Sequence, residues 1–125
     1  VRFLGQRAAG DMPALLAEAD ICVWPAINEA YGMALLEAQA AGLPVVAGDA
    51  GGVSEIVQHG VTGLLAAAGD ADALAAALNS LLADPSRRDT MGRAAMDKAA
   101  RQHSLETAAR RLDDIIQSTG HRRAA

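Results

Sequence analysis

Apolar and polar positions along this chain follow two rhythms. Short unbroken apolar runs alternate with stretches in which apolar residues return every three to four positions, the signatures of buried strands and amphipathic helices. Val1 to Leu4, β-branched and aromatic and ended by Gly5, predicts a first strand. Asp11 is placed to cap a helix with Pro13 in its first turn and Leu15, Leu16 and Ala19 on its apolar face, up to Asp20. Ile21-Cys22-Val23-Trp24 runs apolar without alternation and stops at Pro25, the pattern of a strand covered on both faces in a parallel sheet. After a polar loop, a helix is expected from Gly32 to Ala41, closed by Gly42. Pro44 to Ala47 predicts a third strand, followed by the glycine-rich turn Gly48-Asp49-Ala50-Gly51-Gly52 and a short helix from Ser54 to Gln58. His59-Gly60 and Thr62-Gly63 bracket a turn, and Leu64 to Ala66 predicts a fourth strand.

Beyond that point the rhythm is helical throughout. Asp70 caps a helix whose Leu74, Leu78, Leu81 and Leu82 form one apolar face, and Asp84-Pro85 ends it. Ser86 to Arg101 and Ser104 to Ser118 predict two more helices, with residues 120–125 a frayed tail. Strands alternating with helices make this an α/β domain: a parallel sheet of about four strands, flanking helices and a helical C-terminal third, one unit over residues 1–119.

Composition narrows the function classes. With 51% hydrophobic and 21% charged residues, the chain is a packed globule rather than a disordered segment. No apolar run approaches the about 18 residues of a membrane span. Val1 is not followed by a basic stretch and an apolar run, so no signal peptide is expected, and Cys22, the single cysteine, has no partner for a disulfide or a zinc site. A cytoplasmic protein is the expectation. Thirty alanines and only Phe3, Trp24 and Tyr31 as aromatics imply a core of small and aliphatic side chains, and argue against a base-stacking platform. Residues 1–84 hold ten acids against Arg2 and Arg7, whereas residues 85–125 hold five acids and nine bases, for a net charge of −4. No nucleic-acid partner is expected from that balance.

In an open parallel sheet, ligands bind beyond the carboxyl ends of the strands, where two loops qualify. One runs from Pro25 to Gly32 and leads into the helix carrying Glu37; the other is Gly48 to Gly52. The helix start at Gly32, Met33 and Ala34 offers backbone amides to an anion such as a phosphate. Glu29 lies just ahead of it and Glu37 more than a turn inside. Two carboxylates flanking an anion pocket suit a ligand with hydroxyls at both ends of a phosphate, the layout of a nucleotide sugar. Read alone, two glutamates eight apart are most often solvated surface charges, and a carboxylate near a helix start is ordinary helix chemistry. The glycine turn carries neither a Walker nor a dinucleotide fingerprint. Cys22 reads as an inert core thiol, His59 as a turn residue and His103 as a helix-boundary residue, with no triad and no metal site.

The motifs in order decide between these readings. Glu29-Ala-Tyr-Gly-Met-Ala-Leu-Leu-Glu37-Ala-Gln-Ala-Ala-Gly-Leu-Pro-Val-Val-Ala, then Gly51-Gly-Val-Ser-Glu-Ile-Val and His59-Gly-Val-Thr-Gly-Leu-Leu, resembles the group 1 glycosyltransferases. The resemblance extends upstream through Val1-Arg-Phe-Leu-Gly and Ala19-Asp-Ile-Cys-Val-Trp-Pro, and downstream through Gly69-Asp70 to Asp84-Pro85. It implies a retaining enzyme of the GT-B fold, with this chain as the second half of the C-terminal, Rossmann-like domain that binds the nucleotide diphosphate sugar donor. It implies that Glu29, the catalytic candidate, approaches the hexose hydroxyls near the transferred centre. Glu37 then holds the ribose, and Tyr31, Gly32, Met33 and Ala34 lie against sugar and phosphates. No cofactor and no metal are implied.

The resemblance also implies what is elsewhere: an N-terminal acceptor domain, and the Arg and Lys that face the diphosphate. The chain alone is therefore expected to be inactive, and the full-length enzyme to work in the cytoplasm or at the inner face of a membrane. Departures are Ala30-Tyr31-Gly32 in place of Gly-Phe-Gly, and His103-Ser104-Leu105-Glu106 in place of an aromatic-Ser-Trp-Glu motif. Alternatives are a related GT-B sugar-phosphate synthase and a non-catalytic nucleotide-binding or assembly module. A phosphorylase is disfavoured because Lys98, the only lysine, reads as lying in a helix far from the loops. In the doubly wound strand order that the resemblance implies, Val1 to Leu4 and Ile21 to Trp24 are not neighbours, which leaves the Ile21 strand with an open apolar edge: either Val1 to Leu4 moves in beside it or, the favoured expectation, a second copy of the chain pairs with it.

Overall fold

The structure, a computed structural model, describes residues 1–28, 32–102 and 105–123, and within the last stretch the side chains of 108–118. Three strands form one parallel sheet in the order β1 (Cys22–Trp24), β2 (Val45–Asp49), β3 (Gly63–Ala67). Val23 pairs with Val46, and Val46 with Leu64. Six α-helices accompany it: α1 (Met12–Ala17), α2 (Met33–Ala40), α3 (Val53–Ile56), α4 (Ala71–Leu82), α5 (Pro85–Gln102) and α6 (Leu105–Arg123).

The period of two along β2 builds the core on both sides of the sheet. Val45 and Ala47 pack with Leu35, Ala38, Val53, Ile56 and Val57 from α2, α3 and the turn after it. Val46 faces the other way, onto Leu64, Leu81 and Met91 under α4 and α5. Residues Val45 to Ala47 of β2 are buried on both faces, and the buried hydrophobic side chains around them include no aromatic ring.

Local signals fix most boundaries. Gly42, with φ of 83°, stops α2 as the sequence predicts. Asp70 accepts the Ala73 amide at 2.9 Å and starts α4. Asp84 accepts the Arg87 amide at 3.0 Å with Pro85 as the first residue of α5, so the signal that ends one helix opens the next. Arg88 donates to the Leu81 and Leu82 carbonyls at 2.7 and 2.9 Å, satisfying the last turn of α4. Gly92 lets α5 lie against the Gly42 carbonyl, where a methyl group would overlap that oxygen. At the amino end of the sheet, buried Gln39 donates to Thr62 Oγ1 at 3.0 Å and the Gln58 amide donates to the same oxygen at 2.8 Å, tying α2 to the turn before β3.

Five expectations need correction. Val1 to Leu4 is not a strand: the segment has no sheet partner, and Val1 and Phe3 lie in the open. A strand exists only where a neighbour takes its hydrogen bonds, which β-branched composition cannot supply. The sheet therefore has three strands rather than four. Strand β1 is not covered on both faces, because it pairs with β2 alone and leaves Val23 and Trp24 39% and 37% exposed. Asp11 stands at the start of α1 but makes no side-chain cap, and the apolar face of α4 is Leu74, Leu78 and Leu81, with Leu82 outside it. The last helix continues to Arg123, past the Ser118 end that the sequence suggests. Among the described residues no helix is long and apolar enough to cross a membrane.

Candidate functional site

The carboxyl ends of all three strands open on the same end of the sheet. There the loop after β1 touches the end of β2: Gly48 lies so close to the Ala26 carbonyl that a methyl group would overlap it. A small, largely apolar cavity of about 180 Å³ lies between Ala26, Ile27, Gly48, Gly69, Asp70 and Leu74.

Gly32 sets the start of α2. Its backbone is left-handed (φ 72°, ψ 47°), a conformation that a β-carbon disfavours. Its carbonyl accepts from the Leu35 and Leu36 amides at 2.9 and 3.3 Å, which closes the first turn. Met33 and Ala34 are exposed there, and first-turn amides of a helix have no acceptor within it. Ile56 and Leu35 back Gly32 from the core: their δ-carbons stand 3.5 and 3.2 Å from where a Gly32 β-carbon would be. The helix start is thus presented outward from a packed wall.

Glu37 is exposed on α2, one turn beyond Met33 and about 6 Å further along the helix axis by the 1.5 Å rise. It lines an open groove of about 550 Å³ between α1 and α2, with Met12, Pro13, Leu16 and Ala40. Gly32, Met33, Ala34 and Glu37 therefore share one helix, as their spacing predicts. Glu29 and Tyr31 lie outside the described residues, as do His103 and Ser104.

The other candidates stay structural. Burial pushes the Cys22 thiol above its ordinary pKa, which disfavours the reactive thiolate. His59 Nδ1 accepts the Leu65 amide at 2.9 Å. Among the described residues no cluster of His, Cys, Asp and Glu is placed to hold a metal ion.

Lys98 is where sequence reasoning fell short. Far from being remote, its ammonium donates to the Glu55 and Ile56 carbonyls at 2.9 and 2.8 Å, immediately behind the site. No local signal could have found a contact that spans more than forty residues.

A family model described as glycosyl transferases group 1 matches residues 1–98. A D-inositol 3-phosphate glycosyltransferase of Corynebacterium aurimucosum is 44% identical over 92% of this chain and 27% of its own length. A GDP-mannose-dependent monoacylated α-(1-6)-phosphatidylinositol monomannoside mannosyltransferase of Corynebacterium glutamicum is 42% identical, over 94% of this chain and 32% of its own. Among solved structures, HepE of Anabaena in complex with UDP superposes with a TM-score of 0.87 at 34% identity, over 94% of this chain and 32% of that one. Sucrose-phosphate synthase of Thermosynechococcus elongatus does so at 0.88 and 31%, over 97% and 30%. The chain spans between about a quarter and a third of the length of these relatives.

Proposed function

The chain belongs to the group 1 glycosyl transferases, and from that premise we propose that it is the donor-binding part of a hexosyltransferase that uses a nucleotide diphosphate sugar and retains the anomeric configuration. The observation that carries the reading is the start of α2, where a left-handed Gly32 opens the helix, Met33 and Ala34 are exposed, and Glu37 follows one turn on. That surface pairs donors for a diphosphate with an acceptor for sugar hydroxyls. The UDP held by the Anabaena neighbour supports the same ligand class.

In this reading the α2 amides take the leaving diphosphate, Glu37 accepts from the ribose hydroxyls, and Glu29 meets the hexose near the carbon that is transferred. Neither glutamate serves as a general acid; both act by binding. Cations for the diphosphate and the acceptor site come from polypeptide outside this chain, so the chain by itself does not turn over. In this reading the reaction takes place in the cytoplasm or at the inner face of a membrane; the name of the C. glutamicum relative gives a phosphatidylinositol-linked acceptor for that enzyme. The likeness to sucrose-phosphate synthase favours one second reading, a sugar-phosphate acceptor on the same donor site.

Kinetics of the protein encoded by the whole reading frame, with UDP- and GDP-sugars, test the reading. Glu37→Ala should weaken donor binding by about 1–3 kcal/mol, the range for a hydrogen bond to a charged group. Glu29→Ala should lower turnover more than affinity. Unchanged constants in both variants would leave the two glutamates as surface charges.

A further inference from the structure

We propose that Lys98 is a positioning residue for the donor site: it fixes α3 in the place from which Ile56 supports the first turn of α2. The inference rests on the donor-binding reading of that turn.

A four-residue helix such as α3 has no independent stability. The Val57 amide closes it onto the Val53 carbonyl at 2.8 Å, and Val57 itself is already extended (φ −98°, ψ 114°). The chain thereby carries the following amides away from the Glu55 and Ile56 carbonyls, which need other donors. Lys98 supplies both from one nitrogen, reaching across from α5 at 2.9 and 2.8 Å. Its pKa is lowered by burial, as suits an ammonium partly withdrawn from water onto carbonyl oxygens.

What α3 holds in turn is the wall of the site. Ile56 is fully buried, and its δ-carbon stands 3.5 Å from the β-carbon position of Gly32, the residue that opens α2. Interiors packed at this density pass a displacement on rather than absorb it. A shift of α3 after loss of the Lys98 contacts therefore reaches the Met33 and Ala34 amides. Lys98 touches no ligand and acts through Ile56.

The test compares Lys98→Met and Lys98→Arg in the full-length protein, with Gly92→Ala as a variant that disturbs α5 at its contact with Gly42 rather than at its contact with α3. Lys98→Met should raise the donor KM at least fivefold with kcat within twofold, and Lys98→Arg, which keeps a cation and several donors, should return KM to within twofold of wild type. Gly92→Ala should lower Tm without that rise in KM. A Lys98→Met protein with lowered Tm and wild-type KM overturns the proposal, leaving the lysine as a tertiary tie only. Should Lys98→Met not fold, Lys98→Gln takes its place under the same criterion. If the wild-type protein turns over no nucleotide sugar, the donor reading itself fails. Amide exchange of Lys98→Met against wild type then decides the positioning claim: it should speed up at Leu35 and Leu36, whose amides donate to the Gly32 carbonyl, and not in α4, and equal rates at those two amides would overturn it.

Discussion

Strands β1 and β2 both come from unbroken apolar runs, Ile21-Cys-Val-Trp24 and Val45-Val-Ala47, and meet opposite fates. In β2, Val45, Val46 and Ala47 are fully buried, with a strand on each side and helices over both faces. In β1, Val23 and Trp24 stay more than a third exposed, with one neighbour instead of two. An unbroken apolar run states a demand for cover, and how much cover arrives depends on what the rest of the polypeptide lays beside it. Strand β1 is therefore the boundary of the fold, and β2 its centre.

The largest effect that would sharpen this contrast lies at the junction of β2 and β3. A Gly63 methyl group would overlap the Val45 carbonyl oxygen and crowd Val57, so Gly63→Ala should cost about 3 kcal/mol in urea unfolding. Next, paired truncations should separate the strands: Val46→Ala should cost about 2 kcal/mol and Val23→Ala under about 0.5 kcal/mol. Equal losses would show that β1 is covered after all.

A third test concerns the open edge of β1. Light scattering of the isolated chain should show association that grows with concentration, and Val23→Lys should abolish it, because a charge on an edge strand blocks pairing with another chain. A monomeric wild-type chain at high concentration would end the idea. The smallest effect is alkaline. Burial raises the folded Cys22 pKa above the unfolded one, so its contribution to stability is complete below the unfolded pKa and is lost as pH rises through the folded value. Urea midpoints at neutral and alkaline pH should converge for wild type and Cys22→Ala as pH rises.

The readable parts of this protein are those whose causes are local. Gly42, Asp70 and Asp84-Pro85 act within a few residues of themselves, and the helix and strand ends they mark fall where the sequence puts them. Gly32 to Glu37 was legible as one helix start for the same reason. Val1 to Leu4 misled because a strand is a property of two segments, and the second is not beside it. Lys98 was misjudged because its partners are distant in sequence, and nothing in Met-Asp-Lys-Ala announces a carbonyl pair beyond its own helix. Gln39 and Thr62 are of the same kind, a buried polar pair that only the closing of the fold brings together.

The Lys98 contacts have a chemical consequence. This chain contains no other lysine, so acylating reagents have one side-chain amine to find. That nitrogen must leave two carbonyls before it can expose a lone pair to a reagent. Each adduct at Lys98, read as a single mass increment on one peptide, therefore records one release of its nitrogen from the α3 carbonyls. The chain carries its own clock for the breathing of the wall behind α2, and it can be read without introducing a label anywhere else.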